Sequence, residues 1–499
     1  MFTRRKKREK QSEFWVVASR LPQATPSRFY ELVERTLQEM EFAEGVWKLC
    51  RPAYAATDKG GRPGIDPVVY LKMLMVGFFE DLPSERAIAA RCADSLSVRG
   101  FLGYDLCEAT PDHSSLSVIR ERLGVEIYQA IFELILSALR RHGLLKGRHL
   151  GIDSSVLEAN ASLRSLVHRN TEENYRDYVR RLAAEAGVDP QDDPAVRRFD
   201  KKRPGRKTSN QEWVNPHEPE ARIGKTKDGA TDMIYKPEHV VDLETGAIVE
   251  AEVRAGDAAD TAELPARMVE AGVTLERVMP GVAVEKLVQS MTGDKGYFAL
   301  GEIGELQGLG IRTVVSDPQA AQRRRDKLSQ EERAVLTRAQ RAVESESGKQ
   351  LLRRRGQHLE RSFEHLLDEG GLRRATLRGR ENLSKRHKMG AACYNLSQLL
   401  RRLHGIGTAR QWLAAKKSLR EVFCACLRAL RQTLHALTLP ERASSRLSHL
   451  SSLLFCPTLT NPGFHQNSRF STGRLSASKE GRPPGRPVYL SGGLKGAAP

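Results

Sequence analysis

Three carboxylates have the surroundings that phosphoryl-transfer chemistry asks for. Asp153 interrupts an otherwise apolar stretch, HLGIDSSVLEA (149–159), and Asp294 lies in MTGDKG (291–296), where glycines allow close backbone approach. Glu360 falls in LERSF (359–363), within a highly charged helical pattern. Magnesium and manganese prefer oxygen ligands, and two such ions about 3.5–4 Å apart clamp the attacking and leaving oxygens of an in-line displacement. Such a site needs carboxylates converging from different elements. Taken one at a time, the residues also have ordinary explanations. An aspartate after a strand commonly caps a turn, and a glutamate on a helix commonly faces water. Spacing in sequence does not by itself bring them together.

The elements that would position them follow from periodicity. HLGIDSSVLEA reads as a strand, and TDMIYKPEHVVDLETGAIVEAEVRAGD (231–257) as a hairpin turning at Glu244-Thr245-Gly246. TAELPARMVEAGV (261–273) reads as a helix, VEKLVQSMTGDKG (284–296) and IRTVVSDP (311–318) as strands, and 319–369 as charged helix. This order predicts an α/β domain with a mixed sheet flanked by helices. A polar stretch from about 163 to 230, including FDKKRPGRKTSNQ (199–211), reads as a loop insertion, partly disordered.

Before that domain, residues 26–145 read as helical. DPVVYLKMLMVGFFEDL (66–82) has Asp66 and Pro67 as N-cap and first-turn residues, and Pro83-Ser84 breaks the pattern. PDHSSLSVIRERL (111–123) reads as a loop with a serine N-cap before a helix, His113 bracing the loop, and IYQAIFELILSALRRHGLL (127–145) as a longer amphipathic helix. Short helices with tight turns suit a helix-turn-helix DNA-binding module, and a plain helical bundle equally. The expected division is a basic arm over 1–25, helices over 26–145, the α/β domain over 146–405, a helical segment over 406–440 and a disordered basic tail over 441–499.

Composition points to a polyanionic partner. The 499 residues carry 80 Lys+Arg against 62 Asp+Glu, a formal charge of +18. Neutralising phosphates releases counterions, so this surplus favours nucleic acid. Seven scattered cysteines, an odd number with no CxxC pair, argue against a disulfide framework or a zinc ribbon and fit a reducing compartment. The opening MFTRRKKREK is basic with no apolar run behind it, unlike a secretory signal, and no apolar run approaches a membrane span. The expected location is the cytoplasm, with the nucleoid.

Several long stretches together resemble one family. GRPGIDPVVYLKMLMVGFFEDLPSERAIAARCADSLSVRGFLGYDLCEATPDHSSLSVIRERL resembles the N-terminal domain of DDE-type insertion-sequence transposases. GIDSSVLEANASL is similar to the motif of the first aspartate and TGDKGYF to that of the second. LERSFEHLLDEGGLRRATLRGRENLSKRHKMGAACYNLSQLLRRLHGIGTARQW is similar to the glutamate region. The resemblance implies a ribonuclease H-like catalytic domain in which Asp153, Asp294 and Glu360 hold two Mg²⁺ or Mn²⁺ ions. Glu364, one turn on, is the alternative third ligand. It implies cleavage of transposon-end DNA and strand transfer into target DNA, with the N-terminal helices on the terminal inverted repeats and a homodimer pairing two ends. The family's lysine about two turns after the glutamate is replaced by Leu367, with Arg361 or Arg373-Arg374 as substitutes.

The basic residues near these motifs, Lys295, Arg361, Arg373, Arg374, Arg378, Lys385, Arg386 and Lys388, are expected to contact phosphates as a group. Charge runs also serve as plain solvated faces. Tyr394-Asn395-Leu396 reads as a packing segment. Two rival readings remain: an inactive derivative that binds DNA without cutting it, and a stand-alone metal-dependent nuclease that cuts without joining.

Overall fold

The computed structural model describes residues 27–55, 64–106, 108–206, 208–412, 424, 426 and 427. The arm expected over 1–25, the tail over 441–499 and nearly all of the helical segment beyond 412 lie outside these residues. The chain divides into two compact units, 1–422 and 423–499, and the helices and strands named below belong to the first.

Seven helices come first: α1 (Arg28–Glu39), α2 (Phe42–Ala55), α3 (Pro67–Phe79), α4 (Glu85–Asp94), α5 (Leu96–Leu102), α6 (His113–Arg122) and α7 (Val125–Arg141). Helix α3 starts as its sequence predicts. The Asp66 carboxylate accepts from Val68 N–H at 2.8 Å, and Pro67 occupies the first turn, where no donor is wanted. Val68, Tyr70, Leu71, Met73, Met75, Val76 and Phe79 are all buried. A helix apolar on all sides belongs at the centre of a bundle. The cap of α6 differs from expectation: Asp112, not a serine, accepts from Ser115 N–H at 2.8 Å, and His113 is the first helical residue.

Next come β1 (His149–Ser154), β2 (Leu157–Glu158), β3 (Val167–His168), α8 (Tyr175–Glu185), α9 (Asp193–Lys202), β4 (Trp213–Val214), β5 (Arg222–Lys225), β6 (Thr231–Asp242) and β7 (Ile248–Ala255). Then follow α10 (Leu264–Val278), β8 (Ser290–Thr292), α11 (Leu300–Gly308), β9 (Arg312–Val314), α12 (Gln330–Glu344), α13 (Glu346–Phe363), a π-helical segment (Glu364–Glu369) and α14 (Arg380–His404). The central sheet is mixed. β1 is paired antiparallel with β6, which carries β7 antiparallel on its other side. β8 lies parallel to β1, and β9 parallel to β8. The expected hairpin is β6–β7, and Gly246 at its turn has φ +82°, a conformation that favours glycine.

Two expectations are corrected. The stretch from 163 to 230 is folded rather than a loop. It carries α8, α9 and the small β3–β4 pair, with Val179, Ala183 and Val196 in a core of their own. Aromatics replace aliphatic bulk there: Trp213 lies 5.2 Å from Tyr178 and 5.4 Å from Tyr175, edge-on or tilted. The strand expected from 284 is confined to Ser290–Thr292. Helix α14 joins the two halves, packing on α7 and α3 on one side and β7 on the other.

Candidate active site at the ends of two parallel strands

Strand register explains how two of the three carboxylates meet. Gly151 of β1 lies opposite Thr292 of β8. Asp153 and Asp294, each two residues further on, therefore leave adjacent parallel strands at the same end of the sheet. Asp153 is half-buried. Its Oδ1 accepts from Ser154 N–H at 2.9 Å, and its Oδ2 from Arg355 Nη2 of α13 at 2.7 Å. Burial pushes the Asp153 carboxyl up to about 6; Arg355 pulls it down, while the negative charges of Asp294 and Asp260 add to the rise. Asp294 caps the short turn that follows β8, its Oδ1 accepting from Gly296 N–H at 2.8 Å.

Asp260, which sequence reasoning passed over, is a third carboxylate here. It lies in the loop between β7 and α10. Its Oδ1 accepts from Ser154 Oγ at 2.9 Å and pairs with Lys236 Nζ at 2.6 Å. A Cβ on Gly296 would stand 3.0 Å from Asp294 Oδ1 and 3.2 Å from Asp260 Oδ2, so a glycine is what leaves room between these carboxylates. Backbone carbonyls tie the loop down: Lys236 reaches Ala258 O, Arg254 reaches Ala259 O and Ala262 O, and Arg267 reaches Asp260 O and Ala262 O. Arg254 and Arg267 both pair with the buried Glu238, which also accepts from Tyr297 Oη at 3.0 Å. Buried charge is costly unless paired, and here the pairing fixes a loop and the turn after Asp294 together. The run GDAAD (256–260), directly after a strand that ends at this side of the sheet, was the available signal.

Glu360 is on α13, as expected, but it faces solvent, and so does Glu364 at the start of the π-helical segment. Among the described residues, neither has a hydrogen bond or ion pair to the two aspartates. Toward the sheet, α13 turns Leu351, Arg355, Leu359, Ser362 and Phe363, the last stacked on His239. Leu359 packs on Gly151, where a Cβ would come within 3.3 Å of its Cδ1. Ser362 Oγ bonds His239 Nδ1 at 2.8 Å, and His239 sits opposite Asp153 in the β1–β6 register. Its Nε2 meets His387 Nε2 at 2.8 Å, and burial holds both imidazoles below their ordinary range.

The donor set is carboxylate oxygen, which suits a hard divalent cation, and Asp294 has no cationic partner among the described residues. No group of three or more His, Cys, Asp or Glu among the described residues is gathered closely enough to hold a metal ion. Carboxylate oxygen is the donor type that magnesium and manganese prefer, but the described residues bring no third ligand to the two aspartates.

The basic residues divide into two groups. Lys295, Arg361, Arg374 and Arg378 are exposed. Arg373 is committed to the chain after β1, bonding the Asp368 carboxylate, Ser155 Oγ and Val156 O. The expectation for Lys385, Arg386 and Lys388 is corrected, because α14 turns them inward. Lys385 is buried and donates to Arg120 O at 3.1 Å, Arg386 Nη2 reaches Leu82 O at 3.1 Å, and Lys388 meets Glu250 at 2.6 Å. Donors spent on such contacts are not free for phosphates. Leu367, at the place of the family's lysine, is likewise fully buried.

Two family models match the chain. The transposase domain (DUF772) matches residues 19–122, and the transposase DDE domain matches residues 317–400. In these two stretches the chain is similar to transposases. The second match contains Glu360, while Asp153 and Asp294 precede it. No curated protein matches the sequence. Among solved structures, the chain is similar to a Mos1 transposase paired-end complex with left transposon end and to a pre-cleavage Mos1 transpososome. Each is 11% identical, with 63% of this chain and 82% of that one covered and a TM-score of 0.18. A Mos1 mariner paired-end complex with Mn is 13% identical over 65% and 87%, with a TM-score of 0.17. Likenesses this slight carry no argument about this chain.

Proposed function

We propose that the protein is a transposase that cuts transposon-end DNA and joins it to target DNA, with Asp153, Asp294 and Glu360 as the carboxylates that hold divalent metal. The observation that carries the reading is the register of β1 and β8, which sets two aspartates at neighbouring strand ends, where the charge of Asp294 adds to the rise of the Asp153 carboxyl. Strand order β7-β6-β1-β8-β9, with β6 and β7 antiparallel to β1 and β8 and β9 parallel to it, supports a ribonuclease H-like domain. Two bound Mg²⁺ or Mn²⁺ ions would supply charge to the attacking and leaving oxygens of the displacement. The chain's own part is positioning. The aspartates aim their oxygens at one end of the sheet, and Lys295, Arg361, Arg374 and Arg378 offer exposed charge to the phosphate backbone. The N-terminal helices would bind terminal inverted repeats, and two copies would pair two ends.

The outward Glu360 favours one other reading, a derivative that binds DNA without cutting it. Cleavage of a labelled duplex carrying the element's own end, with Mg²⁺ or Mn²⁺, separates the two. Wild type is expected to nick and Asp294→Asn to fall to background. Equal nicking by both would remove Asp294 from the site, and binding without nicking by wild type would favour the inactive derivative.

A further inference from the structure

Seven of the eleven residues from Arg197 to Lys207 are Arg or Lys, against the single acid Asp200. Helix α9, which holds the first of them, has two distinct faces. On one, Val196 is buried with Val179 and Ala183 of α8, and Phe199 packs on the same small core. The acids of α9 are also used inward. Asp193 pairs with Arg176 at 3.0 Å and Arg180 at 2.8 Å, while Asp200 pairs with Arg203 at 2.8 Å and accepts from Tyr175 Oη at 3.0 Å. On the other face Arg197, Arg198, Lys201 and Lys202 are exposed, and none of their side chains has a hydrogen bond or an ion pair among the described residues.

These four positions fall within about 140° of the helix circumference, in two rungs about 6 Å apart along its axis. Like charges three and four residues apart destabilise a helix. The negative end of the helix dipole accounts for Lys201 and Lys202 in the last turn, and not for Arg197 and Arg198 one turn earlier. A surface of mixed sign would give solubility without that repulsion. The two rungs instead complement a row of negative charges, such as the phosphates that succeed one another about every 3.4 Å along a DNA strand.

The insertion that carries α9 is footed on the body of the protein. Asn215 Nδ2 donates to Ser162 O at 3.0 Å. The buried Glu218 accepts from Tyr235 Oη of β6 at 2.6 Å and from Gly379 N–H at 2.7 Å, and Glu220 accepts from Arg380 N–H at 2.8 Å. A face ordered in advance binds without a further ordering cost.

We propose that the exposed face of α9 is a sequence-independent seat for the phosphate backbone of duplex DNA, distinct from the N-terminal helices and from the basic residues near the aspartates. The inference goes beyond the cleavage reading and shares with it only the requirement that the protein binds DNA. Metal, Glu360 and strand transfer do not enter it.

The test measures binding of the full chain to labelled duplexes, one with the element's own end and one scrambled, by fluorescence anisotropy across a range of salt. Arg197→Gln, Arg198→Gln, Lys201→Gln and Lys202→Gln together are expected to weaken binding to both duplexes roughly tenfold or more. The slope of log K against log salt should become shallower by about 2–4. Lys286→Gln, Arg324→Gln, Lys327→Gln and Lys349→Gln together remove as much exposed charge elsewhere and are expected to change both far less. An unchanged slope in the α9 variant, a loss confined to one duplex, or an equal loss in the second variant overturns the seat. Failure of wild type to bind either duplex overturns it as well, and the transposase reading with it. Lysine acetylation of wild type, read by mass spectrometry, needs no variant and so holds even if the α9 variant fails to fold. Duplex DNA is expected to protect Lys201 and Lys202 and to leave Lys286 open, and unprotected Lys201 and Lys202 overturn the seat.

Discussion

At the scale of single residues, the site stores the cost of a half-buried carboxylate. The Asp153 carboxyl is pushed up to about 6 by burial, against an ordinary value near 3.8. A carboxyl with a raised folded pKa binds its proton more tightly when folded. The stability this gives is present below pH 4 and is lost as pH rises through 6. Asp153→Asn should therefore stabilise the metal-free protein by about 1–3 kcal/mol at pH 8 and by little at pH 4, read from denaturant melts at the two values. A gain of the same size at both would place the effect elsewhere. The two aspartates were legible in the sequence because each is a charged residue interrupting apolar or glycine-rich strand texture. Asp260 offered only the short GDAAD run after a strand, and its partners Lys236 and Ser154 lie far from it in the chain.

At the scale of elements, strands and hairpin were readable from alternation and turn chemistry, and α3 from its cap. Where α13 would point was not, because its apolar stripe of Leu351, Leu359 and Phe363 is interrupted by charged residues, Arg355 among them on the buried side. Its orientation is set at the α12–α13 joint. A Cβ on Gly348 would stand 1.9 Å from the carbonyl oxygen of Ala342, and backbone cannot give way as a flexible side chain does. Gly348→Ala should cost about 1–3 kcal/mol and move α13 off β1, checked by thermal melts and by loss of hydrogen-exchange protection in Leu150–Asp153. Unchanged stability would show that the joint is looser than its packing indicates.

At the scale of the whole molecule, α14 makes one core of two regions that the sequence presents as separate. The N-terminal helices and the sheet share a single hydrophobic cluster, with Tyr70, Ile131, Leu150, Val249 and Leu396 among its members. The pair Lys388–Glu250 crosses that junction with side chains 10% and 9% exposed, 138 residues apart in the chain. A charge run on one helix reads as a solvated face when its partner is so distant, and that is why Lys385, Arg386 and Lys388 were expected on DNA. Glu250→Leu alone should cost about 3–5 kcal/mol by stranding the Lys388 ammonium, and adding Lys388→Met should recover most of it. If the single variant melts like wild type, the junction does not depend on the pair.

The central claim is that Asp153, Asp294 and Glu360 serve one metal-dependent cleavage reaction, although Glu360 faces solvent. Nicking of a labelled transposon-end duplex in Mn²⁺ by wild type, Asp153→Asn, Glu360→Gln and Glu364→Gln tests it most directly. Glu360→Gln should fall to the background level of Asp153→Asn, while Glu364→Gln keeps cutting. Glu360→Gln cutting like wild type would contradict the account.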